Sequence, residues 1–243
     1  MEFKEFSNKI DKWDQKIILR YNGFGGRPFT IFLRIVSFFG RETLWLLLIA
    51  FYLFVWYDPF LLSYISATFL TGLFMILIIK YLVQRKRPFE RFEEGKIMVL
   101  EGKPTSRSFP SWHSYNVTSQ GLLFSLIFIK LPIICILLLI LVVVVSFSRI
   151  QLGVHYPSDV IFGCIFGIVG FLISIFLISP LILELLTYLE QFIPFEIQYQ
   201  EINSLLFSNI WYVLLSISVF LAILVLAFYK KILGFFKKSK KKN

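Results

Sequence analysis

The chain of 243 residues contains two histidines, and both have polar neighbours suited to one kind of chemistry. His155 lies six residues after Arg149 and four before Asp159, and His113 closes the run Pro110-Ser111-Trp112-His113. Lys80 and Arg87 are seven residues apart. On a helix that is two turns, which puts both cations on one face about 10 Å apart along the axis. A phosphate ester or anhydride needs this inventory, because catalysis of phosphoryl transfer is mostly positioning and charge stabilisation. Lys80, Arg87 and Arg149 supply cations. Ser111 and the backbone N–H groups of the helix after it form an anion cradle. A neutral imidazole attacks phosphorus when a carboxylate takes its other N–H and fixes the tautomer, a role open to Asp159 beside His155. A second, protonated imidazole, His113, would donate to the leaving oxygen. A lone histidine at a helix end is usually structural; the company these two keep is what changes the reading.

The composition says what must hold those residues. Apolar residues make up 57% of the chain and charged residues 16%, against about 25% charge in soluble domains. The two cysteines, Cys135 and Cys164, lie in apolar runs as small hydrophobes and exclude a disulfide scaffold. Six apolar runs, Leu44–Tyr57, Leu61–Ile79, Ser114–Ile129, Leu131–Phe147, Val160–Ile178 and Ile210–Tyr229, approach the length a membrane helix needs. The expected fold is therefore all-α, a polytopic membrane helix bundle of about six spans. Phe3, Phe6, Ile10, Trp13 and Ile17 recur at helical spacing among lysines, which predicts an amphipathic N-terminal helix in the membrane interface.

One domain is expected over 1–243. Residues 1–27 would be the interfacial helix and turn, 42–178 the catalytic core, 179–229 an acidic connector with an extra span, and 230–243 a basic tail touching anionic headgroups. With six spans, both termini and both histidine segments emerge on one face, and every Lys and Arg except Lys130 falls there. The positive-inside rule then points that face to the cytoplasm. No nucleic-acid partner is expected.

Lys80-x6-Arg87-Pro88, Pro110-Ser111-Trp112-His113 and Ser148-Arg149-x5-His155-x3-Asp159 together resemble the three signature motifs of the type 2 phosphatidic acid phosphatase (PAP2) superfamily. The resemblance runs from Lys80 to Asp159. It implies a membrane phosphatase with His155 as the nucleophile, Asp159 as its orienter and His113 as the general acid. Lys80, Arg87, Ser111, Trp112 and Arg149 would bind phosphate, with no metal or organic cofactor. The implied substrate is a lipid phosphate or pyrophosphate in the cell (inner) membrane. A lipid phosphotransferase using the same site, or a non-catalytic lipid-binding or transport protein, is the alternative. One residue departs from the pattern: Trp112 stands where the family usually has Gly, which would strain the backbone if that position needs a positive φ. Arg107, three residues before Pro110, is the candidate headgroup contact in an otherwise mixed-charge loop.

Overall fold

The computed structural model describes residues 2–194 and 197–239. Among them the chain is helical with no β-strand, so the all-α expectation holds. The helices are α1 (Glu2–Tyr21), α2 (Gly26–Val36), α3 (Glu42–Phe54), α4 (Pro59–Val83), α5 (Pro88–Arg91), α6 (Trp112–Leu123), α7 (Pro132–Gln151), α8 (Pro157–Ile173), α9 (Ser179–Glu190), α10 (Leu205–Ser208) and α11 (Ile210–Ser239). Wider π-type turns extend α6 to Ile129 and join α8 to α9. Four helices open on a proline, Pro59, Pro88, Pro132 and Pro157, where the missing N–H has no helical partner to lose.

By length and composition, four helical stretches among the described residues can cross a membrane: Pro59–Arg91, Pro132–Gln151, Pro157–Glu190 and Ile210–Tyr229. Gly26–Gly40 with Glu42–Phe54 makes a fifth if the pair counts as one span. The remaining expected span, Ser114–Ile129, is not among them. It carries Ser114, Asn116, Thr118, Ser119 and Gln120, all buried, so protein rather than lipid surrounds its polar turns. The fifth expected span also runs further than expected. Its helix continues past Ile178 to Glu190, through the first part of the predicted connector. Glu196 of that connector and Lys240–Lys242 of the basic tail lie outside the described residues.

Two compact units are formed, Met1–Arg41 with Ser66–Leu181, and Glu42–Ile65 with Ile182–Asn243. In the first, α6 is wrapped by α7 and α8. Three glycines of α8 allow the close approach: a Cβ at Gly163 would meet Ser111 O at 2.6 Å, and one at Gly167 would meet Thr118 Cβ at 2.8 Å. At Gly170 it would strike the Tyr115 ring. Small residues at helical spacing let two membrane helices pack backbone to backbone, and here they press the start of α6 against the start of α8. Tyr115 is fully buried and its hydroxyl donates to Thr68 O at 3.1 Å. Beneath that end, Ile18, Ile97, Ile150, Tyr156 and Val160 form an apolar cluster.

The N-terminal helix forms, and the side it packs on the protein is not the stripe predicted to meet the membrane interface. Asp14 and Ile18 are fully buried, whereas Phe6 and Trp13 are exposed. In the second unit α11 packs on α3, Tyr212 Oη donates to Phe54 O at 3.0 Å, and Tyr57 Oη donates to Glu190 at 2.6 Å. A cavity of about 310 Å³ lies there between residues such as Leu53, Leu189 and Tyr212. None of its lining residues belongs to the motifs above.

Candidate functional site

A single short turn sets three of the site residues. Arg149 occupies the last turn of α7, and its carbonyl accepts the N–H groups of both Val154 and His155 at 3.2 Å. Gly153 takes the left-handed conformation, φ 76°, which closes the helix as a C-terminal glycine does. Pro157 then opens α8, and Asp159 Oδ2 reaches back to the Tyr156 N–H at 2.9 Å, satisfying one of the donors a helix start leaves open. A Cβ on Gly153 would sit 2.5 Å from Met98 O. Gly153→Ala is therefore expected to destabilise the protein by about 2 kcal/mol or more, and to lower activity with it. The thermal midpoint in detergent checks this; a midpoint unchanged from the parent contradicts it.

His155 is buried between an acid and a base. Arg87 Nη1 contacts His155 Nε2 at 3.1 Å and donates to Val154 O at 2.8 Å. A guanidinium only donates, so Nε2 must be the accepting, unprotonated nitrogen and the ring proton sits on Nδ1. Nδ1 faces Asp159 Oδ2 at 3.5 Å, longer than a normal hydrogen bond. Burial, with Arg87, Lys80 and Arg149 around it, holds the His155 pKa well below the ordinary imidazole value, so the ring is neutral at pH 7. The carboxylate of Asp159 is held on every side: Ser108 Oγ donates at 2.5 Å, Tyr156 N at 2.9 Å and Arg85 Nη1 at 2.7 Å.

The other cations converge on the same end of the first unit. Lys80 Nζ donates to Arg107 O. Arg87 Nε donates to Ser106 O at 2.7 Å and Nη2 donates to Ser106 Oγ at 3.1 Å. Both side chains are buried. Arg149, also buried, donates to Ser37 Oγ at 2.6 Å and to Glu101 Oε2 at 2.8 Å. Arg41 pairs with the other oxygen of Glu101. Burial alone would raise the Glu101 carboxyl, but Arg149, then His113 and Arg41, outweigh it and hold the pKa at about 2.

Ser111 is the N-cap of α6. Its Oγ accepts from Ser114 Oγ at 3.0 Å, and its own N–H donates to Asp159 O at 2.9 Å. His113 sits in the first turn, against Gly40, where a Cβ would come within 2.8 Å of His113 Cβ. Trp112 is the first residue of α6 and is not among the residues with positive φ. The feared strain is absent, and the indole stacks on Tyr115 with centroids 5.7 Å apart and meets Phe69 edge-on. Arg107 contributes its carbonyl to Lys80 and Arg87, while its side chain is exposed.

The structure thus gathers Lys80, Arg87, Ser111, His113, Arg149, His155 and Asp159 at one end of the first unit. It adds Arg85, Ser108, Glu101 and Arg41, which sequence reading missed. Arg85 was within reach, two residues before Arg87 in the run Arg85-Lys86-Arg87. Glu101 and Arg41 carried no local signal, since their partners are distant in the chain. Among the described residues no three His, Cys, Asp or Glu side chains gather where they could hold a metal ion.

The PAP2 superfamily model matches residues 59–182. Over 132 residues the chain is 31% identical to an undecaprenyl-diphosphatase of Sulfolobus acidocaldarius, covering 54% of this chain and 62% of that one. It is 40% identical over 91 residues to a decaprenylphosphoryl-5-phosphoribose phosphatase of Mycobacterium tuberculosis, covering 37% and 46%. The matches span less than two thirds of either relative. The crystal structure of Aquifex aeolicus LpxE superposes with a TM-score of 0.57 at 19% identity, over 66% of this chain and 93% of that one. A transmembrane PAP2-type phosphatidylglycerolphosphate phosphatase from Bacillus subtilis gives 0.53 at 22% identity, over 78% and 90%. Those two likenesses are of fold.

Proposed function

The chain belongs to the PAP2 superfamily, and from that premise we propose that it is a single-domain membrane phosphatase that removes the terminal phosphate from a lipid phosphate or lipid diphosphate. The observation that carries this reading is the pair of contacts on His155: a guanidinium on Nε2 and a carboxylate facing Nδ1. The first means that the attacking lone pair is free of a proton and already points at a phosphate-binding cation. The second supplies the charge that stabilises the ring once it becomes cationic.

In the proposed reaction the phosphate displaces Arg87 from Nε2 and is held by Lys80, Arg87, Arg149 and the first-turn N–H groups of α6. Nε2 of His155 forms the N–P bond as the P–O bond to the lipid breaks. His113, whose pKa burial and then Arg149 hold well below the ordinary imidazole value in the free site, takes up a proton with the anionic substrate and gives it to the leaving oxygen. Water then attacks the phosphohistidine with His113 as base, and inorganic phosphate leaves. Asp159 closes on Nδ1–H as charge builds; such bonds are often long before substrate arrives. Trp112 shapes the entrance, and the exposed side chain of Arg107 meets the headgroup. The protein works in the cell membrane; the cation distribution places the site on the cytoplasmic side only if all six predicted spans cross.

The relatives' names make polyprenyl phosphates and diphosphates the first substrates to try. The test is phosphate release from phosphatidic acid, phosphatidylglycerophosphate, undecaprenyl diphosphate and lipid A, each with and without EDTA. Release from at least one lipid, undiminished by EDTA, is expected. Loss on chelation restored by Mg²⁺ or Zn²⁺ would overturn the metal-free mechanism, and no release from any lipid would overturn the phosphatase reading.

A further inference from the structure

Asp14 is the residue the proposed reaction does not use and the fold treats as if it mattered. A carboxylate with no exposed surface is rare unless paired, and this one, at 0% exposure, sits on a helix predicted to lie in the membrane interface. It accepts the Ser158 N–H at 2.8 Å, Ser158 Oγ at 2.5 Å and Arg85 Nη2 at 2.6 Å. Asp14 thus caps the first turn of α8 from a different helix. The other arm of Arg85, Nη1, donates to Asp159 Oδ1 at 2.7 Å, and its guanidinium lies 4.3 Å above the Tyr156 ring. One cation is shared by two buried carboxylates, and one of them faces the His155 imidazole.

We propose that Asp14 and Arg85 are positioning residues for the reaction: α1 completes the active site by setting the orientation and the effective charge of Asp159. Arg85 facing Asp159 alone would cancel the negative charge that Asp159 presents to His155. Asp14, by taking half of the guanidinium, leaves the trio with one net negative charge. Asp11 stands 3.8 Å from Arg85 but is engaged by Arg91, so that neighbouring pair is neutral. The remaining charged or titratable groups around His155 are Lys80 and Arg87 from the α4 end, Arg149 from α7 with its partner Glu101, and His113 from α6. The cations oppose imidazolium formation, so the residual negative charge behind Asp159 is what favours it.

The inference rests on His155 as the nucleophile. It is tested by the pH profile of kcat/KM for the full-length protein in detergent, with phosphatidic acid and farnesyl diphosphate as substrates. The acid limb of that profile reports ionisation in the free enzyme. Asp14→Asn removes a negative charge and should move the acid limb to lower pH by about half a unit. It should also lower kcat about tenfold, with KM little changed. Arg85→Gln removes a positive charge and should move the limb the opposite way. The double variant Asp14→Asn with Arg85→Gln should return the limb to the parental position while kcat stays low, because charge is restored and the bonds are not. Ser158→Ala, which loses hydrogen bonds without charge, should leave the limb in place. Either single variant decides the sign if the other fails to fold. Acid limbs that stay at the parental pH, whatever the loss of rate or stability, reduce Asp14 and Arg85 to a structural latch and overturn the proposal. Full activity in His155→Ala would instead overturn the nucleophile assignment beneath it.

Discussion

His155→Ala is expected to abolish phosphate release, by about 10⁴-fold or more, while the protein still folds and inserts. The close approach of α6 and α8 that holds the first unit together runs through Gly163, Gly167 and Gly170. The turn His155 stands on is closed by backbone bonds to the Arg149 carbonyl, by the left-handed Gly153, and by Asp159 capping Tyr156. All of these survive loss of the ring. Arg87 keeps its bonds to Val154 O and Ser106 O, so the phosphate-binding cation stays in place and substrate should still bind. Phosphate release together with a thermal midpoint separates the two effects. Near-parental turnover in the variant would show that His155 is not the nucleophile.

Asp159→Asn should have the second-largest effect, a loss of about 10² to 10⁴ in kcat with a much smaller change in KM. Every hydrogen bond recorded for this carboxylate is one it accepts: from Ser108, Tyr156 and Arg85. An amide must turn a donor toward one of them, so the side chain will rotate or lose a partner. Its dipole also cannot balance a cationic imidazole as a full charge does. Some stability should go with the rate, because an N-terminal cap of α8 is weakened, by about 1 kcal/mol. A variant with parental kcat would mean that Asp159 is only a cap. A change confined to KM would place it in substrate binding instead.

The parts of the site that were legible in the sequence are those encoded over short distances. Arg149, His155 and Asp159 are arranged by one turn between two helices, so their spacing alone carries their geometry, with Gly153 and Pro157 as its punctuation. Lys80 and Arg87 were legible as a pair, but not as one helical face: α4 ends at Val83, Gln84 takes a positive φ, and Arg87 is the extended N-cap of α5. The second layer was not. Asp14 reaches Ser158 and Arg85, and Glu101 reaches Arg149 and Arg41, across separations that leave no periodic trace. Hydrophobic spacing picked out the outward stripe of α1 but gave no sign of the side that packs on the protein. In a membrane protein an apolar residue has two apolar destinations, lipid or protein, and periodicity cannot tell them apart. Phe6 and Trp13 are left outward and Asp14 is taken in. The fifth span was ended at Ile178 because an acidic connector was read from 179 on, whereas the helix continues to Glu190, whose carboxylate accepts from Tyr57 and Tyr199 within its own unit. The departure at Trp112 had the opposite outcome: a position read as a threat to the backbone is an ordinary helix start, with the large side chain accommodated by Tyr115 and Phe69.

The phosphoenzyme is the most direct test of the whole account. Parent protein is mixed with lipid substrate labelled at the terminal phosphate, quenched, and its phosphopeptide mapped. The account predicts label on the peptide carrying His155, lost in acid and retained in base, and no label in His155→Ala. Label on any other residue, or turnover in a parent that never carries label under conditions where Asp159→Asn or slow substrates should accumulate it, would contradict it.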